Sequence, residues 1–277
     1  MDPEAIAAEY RAQGYAIVRG FLPTAELPAL AALADAVEAE ALAHGRPFRH
    51  GNLFYDTRPG PPPAVLMAQW PVWHHPGLER FRTHPRYAAL LAPLLGGELK
   101  QIIHQLHWKP RGPGADFAWH QDSRSRRPRA AFRNLGESYV QTGLAIDPHD
   151  EASGGLRVIP GSHRLGDLRL AEDRRVIGRA LDDADLRRIG LDPGTQVSLR
   201  LAPGDLALWS PFTLHASGEN RSRHRRRFLI NGYVRAEDCD RGEWAFRAGE
   251  PAPLPPAPSL THWDDLPNRP EPHYPEP

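Results

Sequence analysis

Cysteine is almost missing from this 277-residue chain: Cys239 stands alone, so no internal disulfide can form and the usual mark of a secreted, oxidised domain is absent. Net charge is missing too. The 34 Lys and Arg balance the 34 Asp and Glu, which leaves no global field to recruit nucleic acid or an anionic membrane. No apolar run approaches the roughly 18 residues of a membrane span. The opening residues, with Asp2, Glu4 and Glu9, lack the basic flank and apolar stretch of an export signal. These absences predict a cytoplasmic protein without nucleic-acid or membrane partners. Proline and glycine, by contrast, are abundant at 30 and 24, which suits short strands joined by turns better than a helical bundle. The 40% hydrophobic content is enough for one domain with a substantial core.

Along the chain, Pro3 to Gln13 is helix-compatible, and Tyr15 to Arg19 reads as a strand ended by Gly20. Thr24 is a candidate N-cap for a second helix, in which Leu27, Leu30, Leu33 or Ala34, Val37 and Ala41 recur at helical spacing before Gly45. Residues 46–76, with Pro59-Gly-Pro-Pro-Pro, predict an irregular excursion, and a further helix is expected from Gly77 to Leu95. From Leu99 the texture changes to short apolar or alternating runs: Leu99 to Trp108, Tyr139 to Ile146, Leu156 to Ile159, Gln196 to Leu201, Asp205 to Trp209 and Phe228 to Val234. Such a series predicts a β-sandwich or barrel. Residues 170–191 read as a helical insertion, a candidate lid. The last 27 residues hold ten prolines and can only trail or wrap the surface. The expected organisation is one domain over 1–277: a helical part to 98, a β core over 99–235, and a Pro-rich tail over 236–277.

Chemistry concentrates in Phe117-Ala-Trp-His-Gln-Asp-Ser, where His120 and Asp122 are two apart. On an extended chain, residues i and i+2 face the same side, so both can reach one ion. Downstream, a Pro203-Gly204 turn and a strand lead to His215, a candidate third ligand. Two histidines and a carboxylate on one face of an octahedron hold iron(II) in oxygen-activating enzymes and leave positions for co-substrate and dioxygen. The same set also suits zinc, so a cupin-like hydrolase or isomerase stays open. Arg226, next to the strand Phe228 to Val234, can clamp a carboxylate in two-pronged fashion. The basic clusters Arg124 to Arg133 and Arg221 to Arg227 raise a nucleic-acid-binding barrel as a rival. They lack interleaved aromatics for base stacking, and the chain is neutral overall. Arg124, Arg126 and Arg127, near the triad in sequence, are instead candidates to hold an anionic group of a small-molecule substrate. Trp119 and Trp209 read as packing, Gly154 and Gly155 as a tight turn, and His163 as a turn position. One of His104 and His107 can line the pocket.

Five pieces together resemble the phytanoyl-CoA dioxygenase family, which includes ectoine hydroxylases and natural-product oxygenases. They are Gly14-Tyr-Ala-Ile-Val-Arg-Gly-Phe-Leu, Trp119-His-Gln-Asp, Gly154-Gly-Leu-Arg-Val-Ile-Pro-Gly-Ser-His, Pro203-Gly-Asp, and His215-Ala-Ser-Gly-Glu-Asn-Arg-Ser continuing to Arg226. They run in family order between about residues 5 and 235. The resemblance implies a mainly β fold with flanking helices, a double-stranded β-helix or cupin-like jelly roll. It implies iron(II) on His120, Asp122 and His215, with 2-oxoglutarate and dioxygen as co-substrates. Arg226, rather than Arg227, would take the C5 carboxylate, because the family's arginine follows its distal histidine by eleven residues. Gln105 and Ser217 resemble family positions that contact the co-substrate, and Thr142 on the neighbouring strand is a further candidate. Ala216 departs from the family's usual glycine. Asp122 disfavours the related halogenases, which replace this carboxylate with a small residue. Hydroxylation, desaturation and oxidative ring closure remain open.

Overall fold

Asp2 starts the first helix, α1 (Pro3–Gln13), by accepting hydrogen bonds from the backbone N–H groups of Glu4 and Ala5, and Gly14 ends it in the left-handed region at φ 80°. The structure, a computed structural model, describes residues 1–112, 114–168, 181–258 and 269–275. After β1 (Tyr15–Val18), a single 3-10 turn over Thr24–Glu26 precedes α2 (Leu27–Ala43), and Thr24 makes no side-chain cap. The regular helix therefore starts two residues later than expected. Pro28 explains it, since proline is accommodated only in the first turn. Leu30, Ala34, Val37 and Ala41 form its buried face.

Residues 46–76 are not the irregular excursion that their composition suggests. They form an antiparallel meander of β2 (Phe48–His50), β3 (Leu53–Arg58) and β4 (Ala64–Gln69), with Pro59 to Pro63 confined to the β3–β4 connection. The expected helix from Gly77 to Leu95 is broken into α3 (Glu79–Arg82) and α4 (Pro85–Leu95), because a residue before proline is driven out of helical conformation. The remaining elements are β5 (Leu99–Trp108), β6 (Phe117–His120), α5 (Leu135–Ser138), β7 (Tyr139–Ala145), β8 (Leu156–Val158), α6 (Asp183–Arg188), β9 (Val197–Ser198), β10 (Leu206–Trp209), β11 (His215–Ser217), β12 (Arg227–Arg235), β13 (Glu243–Arg247) and β14 (Glu250–Pro251).

Two sheets result. The larger runs β1-β10-β7-β12-β5-β4-β3-β2, with β13 also on β5, and the smaller runs β6-β11-β8-β9. Leu106, Leu144, Leu208 and Leu229 on one face of the large sheet pack against Leu30 and Leu90 of the helices. The other face sends Ala207, Trp209 and Phe228 into contact with Leu156, Val158 and Leu199 of the small-sheet region. This is the expected jelly roll with helices outside. The insertion expected over 170–191 lies largely outside the described residues. Its described end carries α6, whose Leu186 packs with Trp119, Ile159 and Leu214 behind the small sheet. The tail is less uniform than its prolines suggest: β13 joins the large sheet, and the backbone of His273 pairs with Arg49 on the edge strand β2. Among the described residues no helix is long and apolar enough to cross a membrane.

His104, on β5, is wholly buried on the helix-facing side, with Nδ1 2.9 Å from Asn231 Oδ1. Burial, opposed by the Asn231 hydrogen bond and reinforced by Arg82, pushes its pKa down to about 3. In the unfolded chain it titrates at about 6.5. Between these values the unfolded state binds the extra proton, so stability present above about pH 6.5 is lost as pH falls. Replacing His104 with Gln should make the pH dependence of urea unfolding shallower by about 1.4 kcal/mol per pH unit in that window. Identical slopes in variant and parent would contradict this.

Candidate active site

The two histidines meet because of strand register. His215, the first residue of β11, is directly opposite His120, the last residue of β6, and their ring centroids are 4.1 Å apart. Gln121 is extended at φ −112° and ψ 139°, so Asp122 points to the same side as His120. All three residues offer ligand atoms within 4.8 Å of one another. His120 Nδ1 donates to the Ala118 carbonyl at 2.7 Å and His215 Nδ1 to the Thr213 carbonyl at 2.9 Å, so each Nε2 keeps its lone pair for the common centre. Trp209, reaching across from the large sheet, donates from Nε1 to Asp122 Oδ2 at 2.9 Å and orients the carboxylate. It does more than pack; Trp119 packs behind the small sheet with Arg157 over its ring.

Burial, with the neighbouring His215 adding to it, pushes the His120 pKa down to about 3. Burial alone would raise the Asp122 carboxyl, but His215, Arg126, His120 and the Trp209 N–H hold it below its ordinary value. At neutral pH His120 is therefore neutral and Asp122 ionised, which are the forms that coordinate a cation. Two imidazole nitrogens and one carboxylate oxygen gathered on one side fit iron(II).

Arg226 is buried just ahead of β12, with its guanidinium over the Phe228 ring at 5.3 Å. His149 accepts from Nη2 at 2.7 Å, and no carboxylate pairs with Arg226 among the described residues. Uncompensated burial lowers its pKa to about 9. Arg227 behaves oppositely: it forks onto Asp147 with two 2.8 Å bonds and reaches Asp35 at 2.8 Å. Successive residues face opposite ways, so only Arg226 points its charge inward without an anion. A carboxylate-bearing co-substrate would balance that charge.

Residues 10–228 match the family model described as "Phytanoyl-CoA dioxygenase (PhyH)". The chain belongs to this family. It is 26% identical over 236 residues to a protein of Stutzerimonas stutzeri named "Probable alpha-ketoglutarate-dependent hypophosphite dioxygenase", covering 83% of this chain and 77% of that one. It is 25% identical over 169 residues to a 2-aminoethylphosphonate dioxygenase from the uncultured bacterium HF130_AEPn_1, covering 61% of this chain and 58% of that one. Among solved structures, EvdO2 from Micromonospora carbonacea var. aurantiaca complexed with 2-oxoglutarate superposes with a TM-score of 0.65 at 24% identity, over 91% of this chain and 95% of that one.

In this phytanoyl-CoA dioxygenase family member, the other expected site residues divide. Gln105 lies on the interior side of β5, 3.0 Å from His107 Nε2, and Ser217 shares the face of His215 two residues on. Thr142 does not belong. It sits between Val140 and Leu144 on the helix-facing side of β7, where its hydroxyl donates to the Asn231 carbonyl at 2.9 Å. The interior neighbour is Gln141. Of the paired candidates, His107 lines the site and is pushed down to about 3 by burial and then by Arg226 and Lys109, whereas His104 belongs to the opposite face.

Lys109 and His149 are site residues that sequence reasoning missed. Lys109 donates to Ser217 Oγ at 2.7 Å and to the Gly218 carbonyl at 2.6 Å, and burial with Arg226 nearby lowers its pKa to about 7. A lone lysine closing an apolar strand, Trp108-Lys-Pro, was the available signal. His149 lies in a loop with no periodic signal at all. Gly154 is structural as expected: at φ 71°, a Cβ would lie 2.4 Å from the Gly218 carbonyl oxygen and 2.7 Å from Lys109 Cδ. His163, 3.1 Å from the Arg11 carbonyl, holds α1 and takes no part in the site.

Proposed function

We infer that His120, Asp122 and His215 hold iron(II) and that Arg226 grips the distal carboxylate of 2-oxoglutarate, within one oxygenase domain spanning residues 1–277. The chain is an iron(II)- and 2-oxoglutarate-dependent dioxygenase acting on a small molecule, and hydroxylation of a C–H bond is its proposed reaction. The carrying observation is the three-residue donor set, with its Nε2 atoms freed by backbone hydrogen bonds, beside a buried guanidinium that lacks an anion. When bound, the metal and co-substrate supply the oxidation: 2-oxoglutarate, dioxygen and substrate become succinate, carbon dioxide and hydroxylated product.

The protein's own part is positional. Trp209 and the Thr213 and Ala118 carbonyls fix the ligand orientations, His149 holds the Arg226 guanidinium over the Phe228 ring, and Lys109 holds Ser217. A metal-dependent hydrolase has no use for Arg226, which favours the oxygenase over a zinc enzyme. The relatives' names point to hypophosphite and 2-aminoethylphosphonate, both small phosphorus anions, and support a small anionic substrate here. A reducing cytoplasm, proposed as its location, suits iron in the divalent state.

The test is to load the protein with iron(II) and 2-oxoglutarate. Without oxygen, the charge-transfer absorption of the iron–2-oxoglutarate chelate should appear. With oxygen and substrate, one succinate should form per 2-oxoglutarate consumed, and zinc should support none of it. Absence of the chelate band, or equal turnover with zinc, would sink the reading.

A further inference from the structure

A second buried guanidinium faces the interior, and the family chemistry does not use it. Arg126 is only 5% exposed, its hydrogen-bond partners are neutral, and the one carboxylate it acts on through space is Asp122, which the metal would share. Its Nη2 donates to the Tyr139 hydroxyl at 2.6 Å and to Gln141 Oε1 at 3.1 Å, and its charge lies over the Tyr139 ring at 4.7 Å. Its Nε is buried with no hydrogen-bond partner. A cation in this position costs free energy unless an anion completes it, and an apolar side chain would fill the same space at no such cost.

The register places Arg126 with respect to the triad. Gln141 pairs with Trp209, whose Nε1 holds Asp122, and on its other side with Gly232 of β12. Phe228, which carries Arg226, is four residues back along β12, about 13 Å at strand rise. The two guanidiniums therefore stand at different levels of the barrel, with Arg126 beside Asp122 and Arg226 beyond. A Cβ on Gly232 would lie 2.1 Å from the Tyr139 hydroxyl and 2.9 Å from Gln141 Oε1, so glycine is what lets this polar pair occupy the interior.

Charge balance points the same way. Iron(II) with the two guanidiniums outweighs Asp122 and dianionic 2-oxoglutarate by one positive charge, even with Lys109 neutral. We propose that Arg126, with Gln141 and Tyr139, is the receptor for an oxyanion group of the substrate, a carboxylate or phosphonate carried by the molecule to be oxidised. This rests on the iron and 2-oxoglutarate reading above. Of the three sequence candidates, Arg126 is the one buried beside Gln141; Arg124 and Arg127 are only partly buried.

The experiment uses the full chain under nitrogen, loaded with iron(II) and saturated with 2-oxoglutarate so that Arg226 is already occupied. Methylphosphonate and acetate are the probes, followed by calorimetry and by the shift in melting temperature. One of them should bind the parent protein at one site and raise its melting temperature; the tighter of the two identifies the oxyanion. Arg126→Gln should weaken that binding at least about tenfold and remove the melting shift, and Arg126→Lys, a point charge without the fork, should fall between. Iron(II) affinity should not fall, because Gln removes a positive charge that acts through space on Asp122, and 2-oxoglutarate affinity should stay within about threefold, because Arg126 bonds only Tyr139 and Gln141 among the described residues. If neither anion binds the loaded parent, or Arg126→Gln binds as the parent does, the proposal is overturned. Should Arg126→Gln not fold, Arg126→Lys and the parent's melting shift decide: no shift in the parent, or full binding in Arg126→Lys, counts against the receptor. Failure of the parent to bind iron(II) and 2-oxoglutarate appears before any probe is added, and it marks failure of the underlying reading instead.

Discussion

Replacing His215 with alanine should abolish succinate formation and weaken iron(II) binding by more than about 100-fold. Loss of a group that only orients a metal ligand costs roughly 10–100-fold, and loss of the ligand itself must exceed that. His215 is 5% exposed and pinned by the Thr213 carbonyl, so its imidazole contributes a preset nitrogen that no neighbouring side chain can replace. Trp209→Phe supplies the graded comparison. It keeps the packing beside Phe228 and Ala207 but loses the Nε1 bond to Asp122, so its effect should stay near tenfold. Metal titration and succinate release measure both variants, with circular dichroism to show that the sheet survives. Near-normal turnover in the His215 variant would mean that the metal sits elsewhere, and the whole site assignment would go with it.

Strand phase explains both what was legible in the sequence and what was not. The long central strands β5, β7 and β12 announce themselves as apolar runs, and the ligands His120 and Asp122 follow from simple i, i+2 parity. The short strands β6, β9 and β11 have two to four residues and exist through their pairing, which composition does not encode. In β2 to β4, polar residues such as Asp56 and Arg58 alternate with the buried ones and dilute the apolar signal, and the proline run draws attention away from it. Thr142 fails for a subtler reason. Every residue of β7 is buried, because helices cover one face and the small sheet faces the other, so no alternation of polarity tells which side points inward. A one-residue error in phase then turns Gln141 into Thr142. His149 is recruited by tertiary contacts and nothing local marks it, whereas Lys109 is marked only by its place at the end of an apolar strand.

The same question of phase makes Arg226 and Arg227 the most informative pair to test. Arg226→Met should raise the concentration of 2-oxoglutarate needed for half-saturation by roughly 30-fold to a few thousand-fold. That range is the loss of about 2–5 kcal/mol expected when one partner of a buried, hydrogen-bonded charge pair is truncated. Arg226→Lys should not restore it, because an ammonium cannot offer two parallel N–H donors to a carboxylate. Iron(II) binding should persist in both, since the triad makes no bond to Arg226. The free variant should unfold no more easily than its parent, because methionine removes a buried cation whose side chain, among the described residues, meets His149 and Phe228. Arg227→Met reverses the pattern: it breaks the fork onto Asp147 and the bond to Asp35, so it should lose stability while leaving 2-oxoglutarate affinity near normal. Calorimetric titration with 2-oxoglutarate and thermal unfolding separate the two. Unchanged affinity in Arg226→Met, or the large loss appearing in Arg227→Met, would place the co-substrate on the other side of β12 and take the charge argument for the iron centre with it.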